Sequence, residues 1–252
     1  MRSDMMRAIR EGLRGALVIA AKDVRIYYAK PPVIMWGMVF PFLLFLSWSV
    51  GRHLPIAGQI PALLAVAVFF TASSIGPVVI PWEKRAGTFD RLVVAPVPLW
   101  GVLSGKTLAG MVFGLAVAAL VTGLGVLAGV RVTNAGTLLL GILLSAGAFA
   151  SLGVLFSTIP ARDVAAVMMP ATLVRWPLLF VSGLFVPLDE LPAWGRALAY
   201  ASPLTYTNDL FHGAMDGPRS IHAAISLGML SLYWMTFLLI GLGLHEVGRR
   251  RA

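Results

Sequence analysis

The groups that perform catalysis are few in this sequence and poorly spaced for it. Its four histidines, His53, His212, His222 and His245, include no H-E-x-x-H pair, and their spacing supplies no zinc ligand set. Cysteine is absent, which removes thiol catalysis, disulfides, Cys-ligated zinc and iron–sulfur chemistry. Gly101 to Thr107 reads GVLSGKT and tests as a phosphate loop. Trp100, however, stands where the first glycine of G-x-x-x-x-G-K-[ST] must be, and the preceding APVPLW is not a buried strand. Phe180-Val181-Ser182-Gly183 approaches the G-x-S-G signature of an intramembrane serine protease but lacks its first glycine. No residue is therefore assigned a catalytic role, and no metal and no cofactor are expected in this chain.

What remains is the chemistry of placed charge. Glu83, Lys84, Arg85, Asp90 and Arg91 fall within one nine-residue stretch of a chain with only 12% charged residues. Gly87-Thr88 reads as a helix start: Thr88 can cap, and Asp90 sits near the positive end of the helix dipole. A short surface helix is expected over Thr88–Val94, stopped by Pro96 and Pro98. The plain reading is a solvated loop whose cations set membrane topology. A topology signal needs only cations, however, and the mixed signs here suit docking of a soluble partner.

The elements that must hold this loop follow from composition. The chain has 252 residues, 58% hydrophobic, with mean hydropathy +0.86. That leaves too little polar surface to wrap a soluble globule and points to an all-α integral membrane protein. A spanning helix needs about 20 apolar residues. Six stretches qualify: 32–51, 60–81, 108–129, 137–159, 164–186 and 221–244. They are continuous rather than alternating, which disfavours a β-barrel. Fifteen cations fall on one side: seven before residue 32, then Lys84, Arg85, Arg91, Lys106, Arg162 and Arg249 to Arg251. Only Arg52, Arg131, Arg196 and Arg219 fall on the other. Both termini are accordingly expected in the cytoplasm of a multi-pass plasma (inner) membrane protein. The net charge of +9 is then an orientation signal and not a nucleic-acid signal. No cleaved signal peptide is expected, and Lys106 reads as an interfacial anchor.

Residues 1–31 are expected to form a basic amphipathic helix lying at the interface, ended by Pro31-Pro32. Its apolar positions Met6, Ile9, Leu13, Leu17, Ala20, Val24 and Tyr27 recur at helical spacing, opposite Arg7, Arg10, Glu11, Arg14 and Lys22. It is either a topology anchor or a lever joining a partner to the spans. The membrane domain is 32–252, with 82–107 as its long cytoplasmic loop and 188–220 as a re-entrant or gate segment outside. Arg175 is the one charge inside a span. It either snorkels to the surface or marks a polar point on a transport path. Gly110, Gly114, Ala118 and Thr122 permit close helix approach, more readily within one chain than across a dimer seam.

Two patterns carry a family resemblance. One is E-x-x-x-G-T-x-x-R-L-x-x-x-P, standing as Glu83, Gly87, Thr88, Arg91, Leu92 and Pro96. The other lies in Ser182 to Met215 and stands as Ser182, Gly183, Pro187, Leu191, Pro192, Trp194, Pro203, Leu204, Thr205 and Tyr206. With the order of the spans, they resemble the permease subunits of ABC-2 type ATP-binding-cassette exporters. The resemblance implies a second permease copy, making a homodimer, and two separate ATPase subunits that carry ATP and Mg. It also implies that the loop after the second span is a coupling helix. It makes Glu83, Arg85, Gly87, Thr88, Asp90 and Arg91 the ATPase-coupling residues, and it gives Arg175, Ser182, Trp194 and Tyr206 to the substrate path or outer gate. The apolar spans suit an amphipathic substrate: a lipid, a lipid-linked glycan or a hydrophobic drug. The rival reading is a free-standing carrier or intramembrane enzyme without an ATPase.

Overall fold

A computed structural model describes residues 2–28, 30–50, 56–94, 97–161, 163–186, 188–215, 217 and 219–251. Side chains are described from residue 10 onward, except those of 32, 36, 45, 48–50, 56, 57, 90, 93 and 249–251. The apolar partners Met6 and Ile9, with Arg7, therefore lie outside the described side chains, as does Asp90. Pro96, Pro187 and Arg162 lie outside the described residues altogether.

Among the described residues the chain is helical, with no strand. In order it forms α1 (Arg2–Tyr27), α2 (Pro31–Ile34), a π-helical turn (Met35–Val39), α3 (Phe40–Val50), α4 (Ile56–Arg85) and α5 (Thr88–Val94). There follow α6 (Leu99–Leu127), α7 (Ala135–Phe156), α8 (Val164–Val181), α9 (Ala193–Tyr200), α10 (Pro203–Ala214) and α11 (Ala223–Arg251). Among the described residues, five single helices are long and apolar enough to cross a membrane: α4, α6, α7, α8 and α11. The stretch expected as the first span is helical without a break from Pro31 to Val50, as α2, the π turn and α3, with helical backbone angles at both joins. The π turn leaves the Gly37 carbonyl within reach of the Thr71 hydroxyl on α4, and such turns cluster where helices are functionally interrupted.

α4 is the axis of the bundle. Its most apolar 18-residue window is wholly buried, and α6, α7, α8, α10, the π turn and α3 surround it. Phe69 and Phe70 pack edge-on, and Phe149 of α7 and Phe40 close around them at 4.9 and 5.2 Å between ring centroids. Helices without a hydrophobic driving force between them associate through small residues. At one crossing a Cβ on Gly76 of α4 would lie 2.3 Å from the Gly153 backbone of α7. On α6, Gly110 and Gly114 abut Ala72 of α4 and Ala146 and Ala150 of α7. These glycines therefore serve packing inside the chain. Outward, Met169 and Leu173 of α8 and Leu232, Met235 and Leu239 of α11 are exposed. Helices so apolar on their open faces belong in lipid, and the protein is an integral membrane protein.

α1 differs from the simple two-faced helix expected from its periodicity. The buried face is made by small residues and Ile19, not by Leu13 and Leu17: Gly12 and Ala16 lie against Gly101 and Gly105 of α6. A Cβ on Gly105 would fall 2.7 Å from the Ala16 carbonyl oxygen, and one on Gly12 would fall inside the Trp100 ring. Leu13, Leu17 and Val18 stay exposed on the other side, where lipid would cover them.

Candidate functional site

The charged loop lies where α4 ends. α4 runs to Arg85, the chain reverses at Gly87, and α5 starts at Thr88, as its sequence pattern indicated. Gly87 has φ +67°, a left-handed value that suits glycine, and no atom crowds its missing Cβ. The backbone turn, not packing, thus accounts for glycine here. Thr88 donates its hydroxyl back to the Glu83 carbonyl at 3.3 Å, bracing the reversal.

α5 rests on one side chain. Phe89 is buried beneath it, tilted against His245 of α11 at 6.2 Å with Lys84 over its ring at 5.7 Å. Lys84 also donates to the Ser157 carbonyl, 3.2 Å away at the end of α7. The opposite surface is open: Arg85, Thr88 and Arg91 are exposed, and Val94 is 83% exposed. An apolar tip ringed by cations at a membrane-protein surface is a shape that a soluble partner can cover.

Glu83 is placed differently from the other loop residues. The resemblance names it an ATPase-coupling residue, yet it is 1% exposed and presents no open surface. Its carboxylate faces Lys106 of α6 at 2.5 Å and Lys22 of α1 at 2.5 Å. Lys106 is itself buried and also meets Asp23 of α1 at 3.1 Å, while Lys22 meets Asp23 at 2.8 Å. Two carboxylates and two ammoniums thus form one closed, neutral cluster joining α1, α4 and α6. Lys106, read from sequence as an interfacial anchor, is the buried centre of that cluster. Burial strongly disfavours the charged Lys22, yet hydrogen bonds and charge from Asp23 and Glu83 outweigh it and hold its pKa above the usual lysine value. The GVLSGKT stretch that supplies Lys106 is α6 helix throughout, not a glycine loop around a phosphate.

A cavity of about 490 Å³ opens between α1 and the α5–α6 connection, lined by Glu11, Arg14, Gly15, Val18, Ile19, Leu92 and Val97. α1 meets the α5–α6 connection directly at Gly15 and Val97, and meets α4 and α6 through the ion cluster.

The four residues expected on a path or gate do not come together. Arg175 is buried in α8, donates to the Ser73 carbonyl of α4, and lies 5.6 Å from the Phe156 ring. It therefore does not snorkel. Ser182 ends α8 and donates to the Leu179 carbonyl at 2.7 Å. Tyr206 lies in α10, its hydroxyl donating to the Tyr200 carbonyl at 2.8 Å. Trp194 stands 70% exposed on α9. Around them the 188–220 segment is tied down: Arg196 donates to the Leu188 and Asp189 carbonyls, and Asp209 accepts from the Ser220 and Ile221 amides. Among the described residues no His, Asp and Glu cluster suits a metal.

The family described as ABC-2 type transporter matches residues 16–215. Nodulation protein J of Rhizobium leguminosarum bv. viciae is 34% identical over 87 residues, covering 34% of this chain and 33% of that protein. The probable multidrug ABC transporter permease YbhR of Escherichia coli K12 is 22% identical over 154 residues, covering 60% of this chain and 41% of that protein. The matches thus span well under half the length of these relatives.

Proposed function

The chain belongs to the ABC-2 type transporter family and is a transporter permease, and from that premise we propose that it is the membrane subunit of an exporter powered by separate ATPase subunits. The reading takes six crossings, counting the continuous α2–α3 segment as one, with both termini in the cytoplasm of the plasma membrane. Two copies of the permease pair, and two ATPase chains, carrying ATP and Mg, bind below them. This chain itself performs no covalent chemistry.

The observation that carries the reading is the α4–α5 reversal. Arg85 at the end of α4 and Thr88, Arg91 and Val94 on the short helix pinned by Phe89 are exposed, while Glu83 is locked to α1 and α6. A partner that pushes on α5 moves Glu83, and Glu83 takes the interfacial helix and α6 with it. Gly87 sets the turn, and Asp90 belongs to the same short helix. Glu83 is thus a positioning residue, and docking falls to Arg85, Thr88, Asp90 and Arg91. The substrate is amphipathic: a lipid, a lipid-linked glycan or a hydrophobic drug. The multidrug description of one relative and the scarcity of polar groups in the spans support that class.

Charge reversal at the exposed cations tests the docking role. Arg85→Glu with Arg91→Glu should leave the permease folded and lose the ATPase subunit on purification. Retention of the ATPase at wild-type stoichiometry would end the docking assignment.

A further inference from the structure

The buried Arg175 has a partner whose availability is dictated by sequence. In an α-helix the carbonyl of residue 73 accepts from the amide of residue 77. Residue 77 is proline, which has no N–H and whose ring pushes the carbonyl four residues back out of line. Ser73 therefore has a free carbonyl in the middle of the bundle's central helix. Pro81 frees the Pro77 carbonyl in the same way, so α4 lacks two rungs one turn apart. The Ser73 hydroxyl cannot cap this gap, because it donates backward to the Phe69 carbonyl at 2.5 Å.

Arg175 supplies the missing donor from another helix. Its guanidinium donates to the Ser73 carbonyl from α8. Gly153 of α7 gives the carbonyl room, since a Cβ there would lie 2.5 Å from the same oxygen. Phe156 covers the charge from the side. A proline in a membrane helix is tolerated where neighbours satisfy the freed backbone groups, and a buried arginine is costly enough that its place calls for a role. Its Nε has no hydrogen-bond partner among the described residues, so the site is not built to bury this charge at least cost.

We propose that Arg175 is a positioning residue, a clasp that replaces the Pro77 amide and fixes a hinge in α4. Below the hinge, about 12 Å of helix leads to Arg85 at roughly 1.5 Å per residue and carries Glu83 of the ion cluster. Above it, and as far below as Ile80, α4 is held in the bundle core; beyond that Trp82 and Lys84 are half-buried and Arg85 is exposed. The clasp sets the angle between the two, and releasing it lets the lower segment swing as a lever. Arg175 thereby acts on the motion of the loop rather than on the cargo. The clasp is a property of the chain alone, whereas its use as a lever rests on the transport reading.

The test is a double-mutant cycle on the full chain in nanodiscs, with Arg175→Met, Pro77→Ala and both together. Pro77→Ala restores the amide that Ser73 needs, so it should make Arg175 dispensable. Because the chain has no cysteine, Ala86→Cys and Leu140→Cys allow a spin-label distance between the loop end of α4 and α7. Arg175→Met should lower the unfolding midpoint by roughly 5 °C or more and broaden that distance distribution. In the Pro77→Ala background the same replacement should cost less than half as much and leave the distribution narrow. If Arg175→Met alone does not fold, recovery of a folded double variant supports the clasp, and failure of both overturns it. An equal loss in the two backgrounds, or a distribution unmoved by Arg175→Met, also overturns it while leaving the transport reading intact. Absence of any ATPase partner would do the reverse.

Discussion

Removing the Lys106 ammonium tests the ion cluster most sharply. Lys106→Met keeps the length and bulk of the side chain and deletes one charge. Asp23 and Glu83, both at most 1% exposed, would then share the single ammonium of Lys22, whose side chain is 32% exposed. Breaking a buried pair by removing one partner costs about 3–5 kcal/mol, because the orphaned charge stays in low dielectric. That is a large part of the stability of an ordinary domain, about 5–15 kcal/mol. Adding Glu83→Gln removes the orphan and leaves Lys22 facing Asp23. The double variant should therefore recover more than half of the loss, although Lys106→Met and Glu83→Gln are each destabilising alone. The assay is thermal or denaturant unfolding of the purified chain in detergent, with limited proteolysis reporting whether α1 detaches. If Lys106→Met unfolds like wild type, or if the two substitutions simply add, the cluster does not hold the three helices together.

Two further outcomes follow from the same geometry. Lys22 has a raised pKa in the folded chain, so its stabilising contribution is complete below the unfolded value of 10.5 and is lost as pH rises through the folded value. Unfolding midpoints taken from pH 9 to 12 should accordingly fall more for wild type than for Lys22→Met above about pH 10.5, and parallel curves would contradict this. Gly76→Ala places a Cβ 2.3 Å from the Gly153 backbone, where neither partner is a flexible side chain. It should destabilise by about 1–3 kcal/mol or prevent folding, whereas Gly58→Ala, with nothing within 4 Å, should not; measured unfolding midpoints decide.

The long elements were legible in the sequence because apolar length alone sets them. The stretches read as 60–81, 137–159 and 164–186 coincide with α4, α7 and α8 to within a few residues, and α5 falls on Thr88–Val94 as its capping pattern indicated. α6 begins nine residues before the expected 108 because Lys106 was taken as a boundary. A hydropathy profile treats lysine as the edge of a span. Here the lysine is neutralised by two acids that lie 83 and 23 residues away, and the helix continues past it. The same pairing explains Glu83. Density of charge marked it as part of a surface loop, but its burial depends on α1 docking onto α6 through Gly12, Gly101 and Gly105, which no local pattern records. The π turn within the 32–51 stretch was invisible for a related reason: the Thr71 hydroxyl that meets its Gly37 carbonyl lies on another helix. For Arg175 the signal was present and went unused. Pro77 leaves a carbonyl at Ser73 that some donor must fill, and a lone arginine in a neighbouring span is the natural candidate.

Affinity purification of the tagged full chain from its own membrane, with quantitative mass spectrometry of what accompanies it, tests the central claim most directly. The account predicts an ATP-binding-cassette ATPase recovered one for one with the permease, in a particle holding two of each. It also predicts that the ATPase is lost when Arg85 and Arg91 are both reversed to glutamate. A wild-type particle that contains the permease alone, and still carries substrate across a vesicle membrane without ATP, would contradict it.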